Sequence, residues 1–78
     1  MPEFDLFLWT EENEVHLAQH GVTKEEFEFV VLNAKTTRES RSSGRPIVFG
    51  MTEAGRKLCC VYEVEEGFCF PVTAYDVP

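Results

Sequence analysis

Seventy-eight residues, 44% of them hydrophobic and 27% charged, leave room for one domain with one core and argue against disorder. No apolar run approaches the roughly 20 residues that span a bilayer, and the first nine residues carry acids and no base. The expectation is a cytoplasmic protein without a signal peptide or membrane span, and its formal charge of −7 speaks against a surface built wholly for nucleic acid.

Residues 4–9 (FDLFLW) read as a strand, with Phe4, Leu6 and Leu8 on one side and Asp5, Phe7 and Trp9 on the other. Thr10 is placed to cap a first helix that runs to about His20, with Glu11 and Glu12 favourable in its first turn and Gly21 as the residue that ends it. On that helix Val15, Leu17 and Ala18 cover one broad apolar arc, while His16 and His20 share the opposite side. Thr23-Lys24-Glu25-Glu26 is a capping box for a second helix, and Val22 and Phe27 are spaced as a hydrophobic staple. Phe27, Val30, Val31 and Ala34 form its core stripe; Phe29 and Leu32 fall outside it. Residues 35–46 read as a loop or a ragged edge strand. Three strands follow at 47–52, 58–65 and 68–76, joined by turns short enough to force an antiparallel meander. Pro71 cannot donate to a ladder and marks a bulge or an outward-facing edge position. The predicted class is therefore α+β, in the order β-α-α-β-β-β, as a single domain over residues 1–78.

Cys59, Cys60 and Cys69 are odd in number and lack the spacing of a zinc site, so they read as reduced thiols in or near the core, with a cross-strand disulfide to Cys69 the less favoured alternative. Charge is distributed unevenly. Six of the seven bases (Lys35, Arg38, Arg41, Arg45, Arg56 and Lys57) fall between residues 35 and 57, and the acids dominate on both sides. That stretch reads either as a solvated loop and strand edge or as a local surface for an anion or an acidic partner.

Phe7-Leu8-Trp9, Asn13 and His20-Gly21-Val22, followed by a Phe-bearing second helix, resemble the start of BrnT-type toxins. The resemblance continues through Arg38, Ser40-Arg41, Gly44-Arg45, Gly50, Gly55-Arg56, the apolar strand 58–62 and Pro71-Val72-Thr73-Ala74-Tyr75, and so covers nearly the whole chain. It implies a RelE-like fold and a type II toxin–antitoxin system, in which a ribonuclease toxin is neutralised by a protein antitoxin. Members of that family commonly close with an arginine after a Ser-Ala pair and are generally basic. Here Tyr75 follows Thr73-Ala74, and the chain is acidic.

Cutting RNA without a metal needs a base for the 2′-hydroxyl, an acid for the leaving oxygen and cations at the phosphate. Arg45, Arg56, His20 and Tyr75 are the candidate catalytic residues, and Arg38, Arg41, Arg45 and Lys57 the candidate nucleic-acid contacts. His16 joins His20 at i,i+4 spacing, but Leu17 stands where an HExxH zinc motif has its glutamate, and no metal or cofactor is expected. Each candidate has a bland reading as well. His20 suits free carbonyls at a helix end. Tyr62 and Tyr75 suit a core rim, Trp9 the core, and Glu63 the solvent. If the first two meander strands pair, Arg45 and Arg56 lie towards opposite ends of the hairpin, which suits an extended contact surface more than a compact clamp. The two expectations are a BrnT-like toxin component, a metal-independent ribonuclease with RNA as substrate and an antitoxin as partner, and a non-catalytic module of the same fold that binds a protein through its second helix and sheet.

Overall fold

The structure, a computed structural model, describes residues 4–34, 37–39, 41 and 44–77; Lys35 and Ser40, named above, lie outside them. Its elements are β1 (Leu6–Phe7), α1 (Glu11–Gln19), α2 (Lys24–Asn33), β2 (Arg38–Glu39), β3 (Pro46–Met51), β4 (Lys57–Glu65) and β5 (Phe68–Asp76). The α+β class and the antiparallel meander β3-β4-β5 agree with the sequence reading. The element order gains a strand over the expected one, because β2 pairs with the start of β3 inside the stretch read as a loop or ragged edge. The result is a mixed five-stranded sheet in the order β1-β5-β4-β3-β2, with β1 parallel to β5.

β1 is shorter than residues 4–9. Its parallel pairing is closed at both ends by Asp5 N donating to Gly67 O (2.8 Å) and Leu8 N to Cys69 O (2.8 Å), and Thr10 then starts α1. The expected alternation also needs correction. Phe4 is buried beside Phe7 and Tyr62, whereas Leu6 and Leu8 are exposed. Regular alternation begins only at Leu6, because the chain bends at Asp5.

Both helices start as their caps dictate. Thr10 Oγ1 accepts from Asn13 N, and Thr23 with Glu26 forms the reciprocal capping box. α2 supplies the core through Phe27, Val30 and Val31, with Ala34 half-buried at its end. Phe27 lies edge-on to both Phe7 and Trp9, and the Trp9 indole N–H donates to Glu28 at 2.7 Å. α1 packs on β5 with a narrower contact than its apolar arc suggests: Leu17 is buried, but Val15 and Ala18 are exposed.

The helices therefore cover one face of the sheet. Leu58, Cys60 and Tyr62 of β4, Val48 of β3 and Cys69 and Ala74 of β5 point into the core they make. The register between β4 and β5 shifts by one residue at Val61/Tyr62, opposite Pro71, so of the two expectations for the proline, bulge or outward-facing edge, the bulge is the one realised. Because strand faces alternate, this one-residue slip decides which way the end of β5 points. Ala74 and Asp76 turn to the helix side, opposite Cys60 and Leu58, and Tyr75 turns to the other face, opposite Cys59.

The β4–β5 turn is a two-residue loop with Glu66 at φ 52° and Gly67 at φ 84°, the positive pair that a tight hairpin requires. All three cysteines are free and buried, and none is paired with another in the register. Burial pushes the Cys60 thiol up to about 12, helped by the neighbouring Cys59 and Cys69, and pushes Cys69 up to about 12, helped by Glu28. No described helix is long and apolar enough to cross a membrane.

Candidate functional site

The turn between β3 and β4 builds the most connected polar group among the described residues. Thr52, a buried polar residue, receives Arg56 N on its hydroxyl at 3.2 Å, and its own N–H donates to Arg56 O at 2.8 Å. That closes the loop and aims Arg56 at the far end of α1. There its guanidinium donates to both oxygens of Asp76, through Nε at 2.5 Å and Nη2 at 2.8 Å. It also donates through Nη1 to Gly21 O at 2.6 Å and through Nη2 to His20 O at 3.1 Å, with Glu26 a further 3.6 Å partner.

The two backbone acceptors are carbonyls left free where α1 ends, so Arg56 caps the helix and neutralises the negative end of its dipole. The fork on Asp76 is the bidentate geometry that suits arginine and not lysine. Hydrogen bonding to Asp76 raises the Arg56 pKa. The same bond holds the Asp76 carboxyl below its ordinary range, with the charges of Arg56 and His20 adding to the effect.

Three of the four catalytic candidates gather at this end of the sheet, although not on one surface. His20 is the C-cap of α1, and its ring lies 5.3 Å from that of His16. His16 Nε2 is 3.0 Å from the Thr73 hydroxyl, which ties the pair to β5. Arg56 sits beside them. Tyr75 is on the opposite face of the sheet, where its hydrogen bond to Cys59 raises the phenol pKa.

Arg45, the fourth candidate, lies just before β3, with Nε 2.6 Å from Glu63 Oε1. The length of the β3–β4 hairpin separates it from Arg56, as the sequence reading anticipated. Among the nucleic-acid candidates, Arg38 stands on β2 with its guanidinium 6.0 Å from the Phe49 ring, Lys57 opens β4 opposite Met51, and Arg41 is exposed in a turn. These cations form no single cluster.

Sequence reasoning missed Asp76 and Thr73. The signal for Asp76 was present: the bulge that Pro71 announces moves the end of β5 by one residue and brings Asp76, not Tyr75, to the Arg56 side. Glu63, read as solvent-facing, is exposed and holds Arg45. Among the described residues no three His, Cys, Asp or Glu side chains are grouped to hold a metal.

The face away from the helices has a different character. Phe49 (47% exposed), Met51 (52%) and Tyr75 (43%) lie on it, with Ile47 and Val61 half-buried between them. Cys59 is fully buried there, outside the helix-side core, because Phe49 and Tyr75 flank it in the same cross-strand row. Searched against protein families, curated proteins and solved structures, the chain matches none.

Proposed function

We propose that this chain is a BrnT-like domain of the type II toxin–antitoxin kind with a RelE-like arrangement, and that it works by binding a protein partner and not by cutting RNA. One observation carries the reading. Arg56, the candidate catalytic cation beside the His16–His20 pair, has its guanidinium engaged by Asp76 and by two helix-end carbonyls. Recruiting it for catalysis would cost the α1 cap and leave Asp76 without its counter-ion. Arg45 is held by Glu63 at the other end of the hairpin, so the two cannot converge on one phosphate without breaking both pairs. The net charge of −7 and the absence of the closing arginine of the family point the same way. Meanwhile the sheet leaves a face of exposed aromatic and aliphatic side chains, the usual mark of a protein contact.

A second reading, metal-independent RNA cleavage, draws support from the His16–His20 pair beside Arg56. Two imidazoles 5.3 Å apart on an exposed helix face can supply a base and an acid. Induced expression in a bacterium, followed by growth and by the integrity of total RNA, separates the two. The binding reading predicts normal growth and intact RNA. Growth arrest with RNA cleavage, lost in His20→Ala and Arg56→Lys variants that still fold, would reverse the order of the two readings.

A further inference from the structure

The helix-free face of the sheet carries information about what covers it. Along β3 the side chains of Ile47, Phe49 and Met51 point the same way, and the two ends of this row are marked by cations. Arg38 pairs in register with Ile47 and lies 6.0 Å from the Phe49 ring, while Lys57 pairs with Met51. Both are exposed, and among the described residues neither makes an ion pair. Lys24, Arg45 and Arg56 are each matched by a carboxylate, and the other described cation, Arg41, lies in a turn away from this row. On a chain with twice as many acids as bases, two cations left unmatched at the ends of a row that holds the most exposed aromatic ring among the described residues are unusual. A shallow groove bordered by Phe49, Gly50, Met51, Lys57 and Val77 continues the apolar surface to the edge.

We propose that this face docks an amphipathic segment of another protein, one that seats apolar side chains over Phe49 and Met51 and sets carboxylates against Arg38 and Lys57. The inference rests on the partner-binding reading above and adds the surface and the chemistry of the partner. A second copy of the chain is a poor occupant, because two bodies of charge −7 repel as they approach. RNA is a poor occupant as well. Phe49 and Tyr75 could stack a base, but the phosphates of RNA follow one another along the whole strand and would run past the two cations onto Glu63 and Glu65 on the same face, whereas a peptide segment can confine its carboxylates to the positions facing Arg38 and Lys57. A carboxylate-flanked apolar segment satisfies both halves of the surface: it buries the aromatic and thioether groups at its centre and neutralises the cations at its rim.

The test places a photo-crosslinking phenylalanine analogue at position 49 of the full chain, and separately at position 32 on α2, in the cell the protein comes from. The cross-linked peptides are then sequenced. The proposal expects position 49 to capture a different protein through a segment with Asp or Glu beside apolar residues. It also expects the yield to fall about tenfold in the double variant Arg38→Glu, Lys57→Glu, through like-charge repulsion at the rim. Both reversals fall on exposed side chains, and an unchanged melting temperature checks that the fold is intact. A cross-link to RNA or to a second copy, or a yield indifferent to the reversal, would overturn the proposal. Capture from position 32 alone would overturn the docking face and leave the partner-binding reading standing; no capture from either position would remove both.

Discussion

The two faces of one sheet are made of similar residues and do different work. Neighbours on β3 show the contrast most simply. Val48 is 1% exposed under α2, and Phe49, next to it and larger, is 47% exposed on the other side. A sheet of 78 residues' worth of chain cannot be covered twice by two short helices. One face becomes the core, and the other keeps apolar groups that the fold itself leaves uncovered. The lesson is that hydrophobic content in a small domain does not by itself locate stability; coverage does.

The comparison can be broken most forcefully on the covered side. Phe27→Ala and Leu58→Ala each remove a fully buried side chain and are expected to cost about 3–5 kcal/mol in chemical denaturation. A smaller loss is expected where α2 lies against Gly50 of β3, because the neighbouring Val30 is itself buried and has little room to give. A Cβ on Gly50 would meet Val30 Cγ1 at 3.0 Å, so Gly50→Ala is expected to destabilise by about 1–2 kcal/mol through overpacking.

The end of the covered side is closed by Arg56 and Asp76, and pH reports on that closure. The folded Asp76 carboxyl lies below its ordinary value of 3.8 because Arg56 favours its charged form. Its contribution is therefore complete above that value and is lost as pH falls through the lower folded value. Asp76→Asn should be less stable than the parent near neutrality, and the gap between their melting temperatures should close in acid. A gap independent of pH would mean that the pair does no electrostatic work.

Thiol chemistry sharpens the contrast without disturbing it much. Cys60 and Cys69, both pushed up to about 12, should resist alkylation while the domain is folded. Cys59 owes its burial to two side chains of the open face, so Phe49→Ala should make Cys59 alone reactive, as mass spectrometry of the labelled peptide would read.

Much of this architecture was legible in the sequence because it is written in local chemistry. The capping box at Thr23–Glu26 and the end of α1 at Gly21 were read from residue types within a few positions of each other, and each is where it was expected. The bulge at Pro71 was legible too, but its consequence was not. It acts through register, which depends on the whole β4–β5 pairing, and so the exchange of faces between Tyr75 and Asp76 escaped notice. The alternation assigned to residues 4–9 failed for a related reason, since only Leu6 and Phe7 are held in a ladder. At the candidate site, Arg56 was singled out as a phosphate-binding and catalytic candidate, yet residue type alone could not separate a cation that meets a ligand from one that ties down a helix end. Only the carbonyls of His20 and Gly21 and the fork of Asp76 distinguish them.

The most direct test of the contrast between the two faces is a paired denaturation of Val48→Ala and Phe49→Ala. Adjacent in sequence, the two substitutions truncate opposite sides of the same strand. Val48→Ala should cost about 2 kcal/mol, and Phe49→Ala should cost less than about 1 kcal/mol although it deletes far more apolar surface. A Phe49→Ala cost equal to or above that of Val48→Ala would show that the open face belongs to the core after all, and would contradict the account.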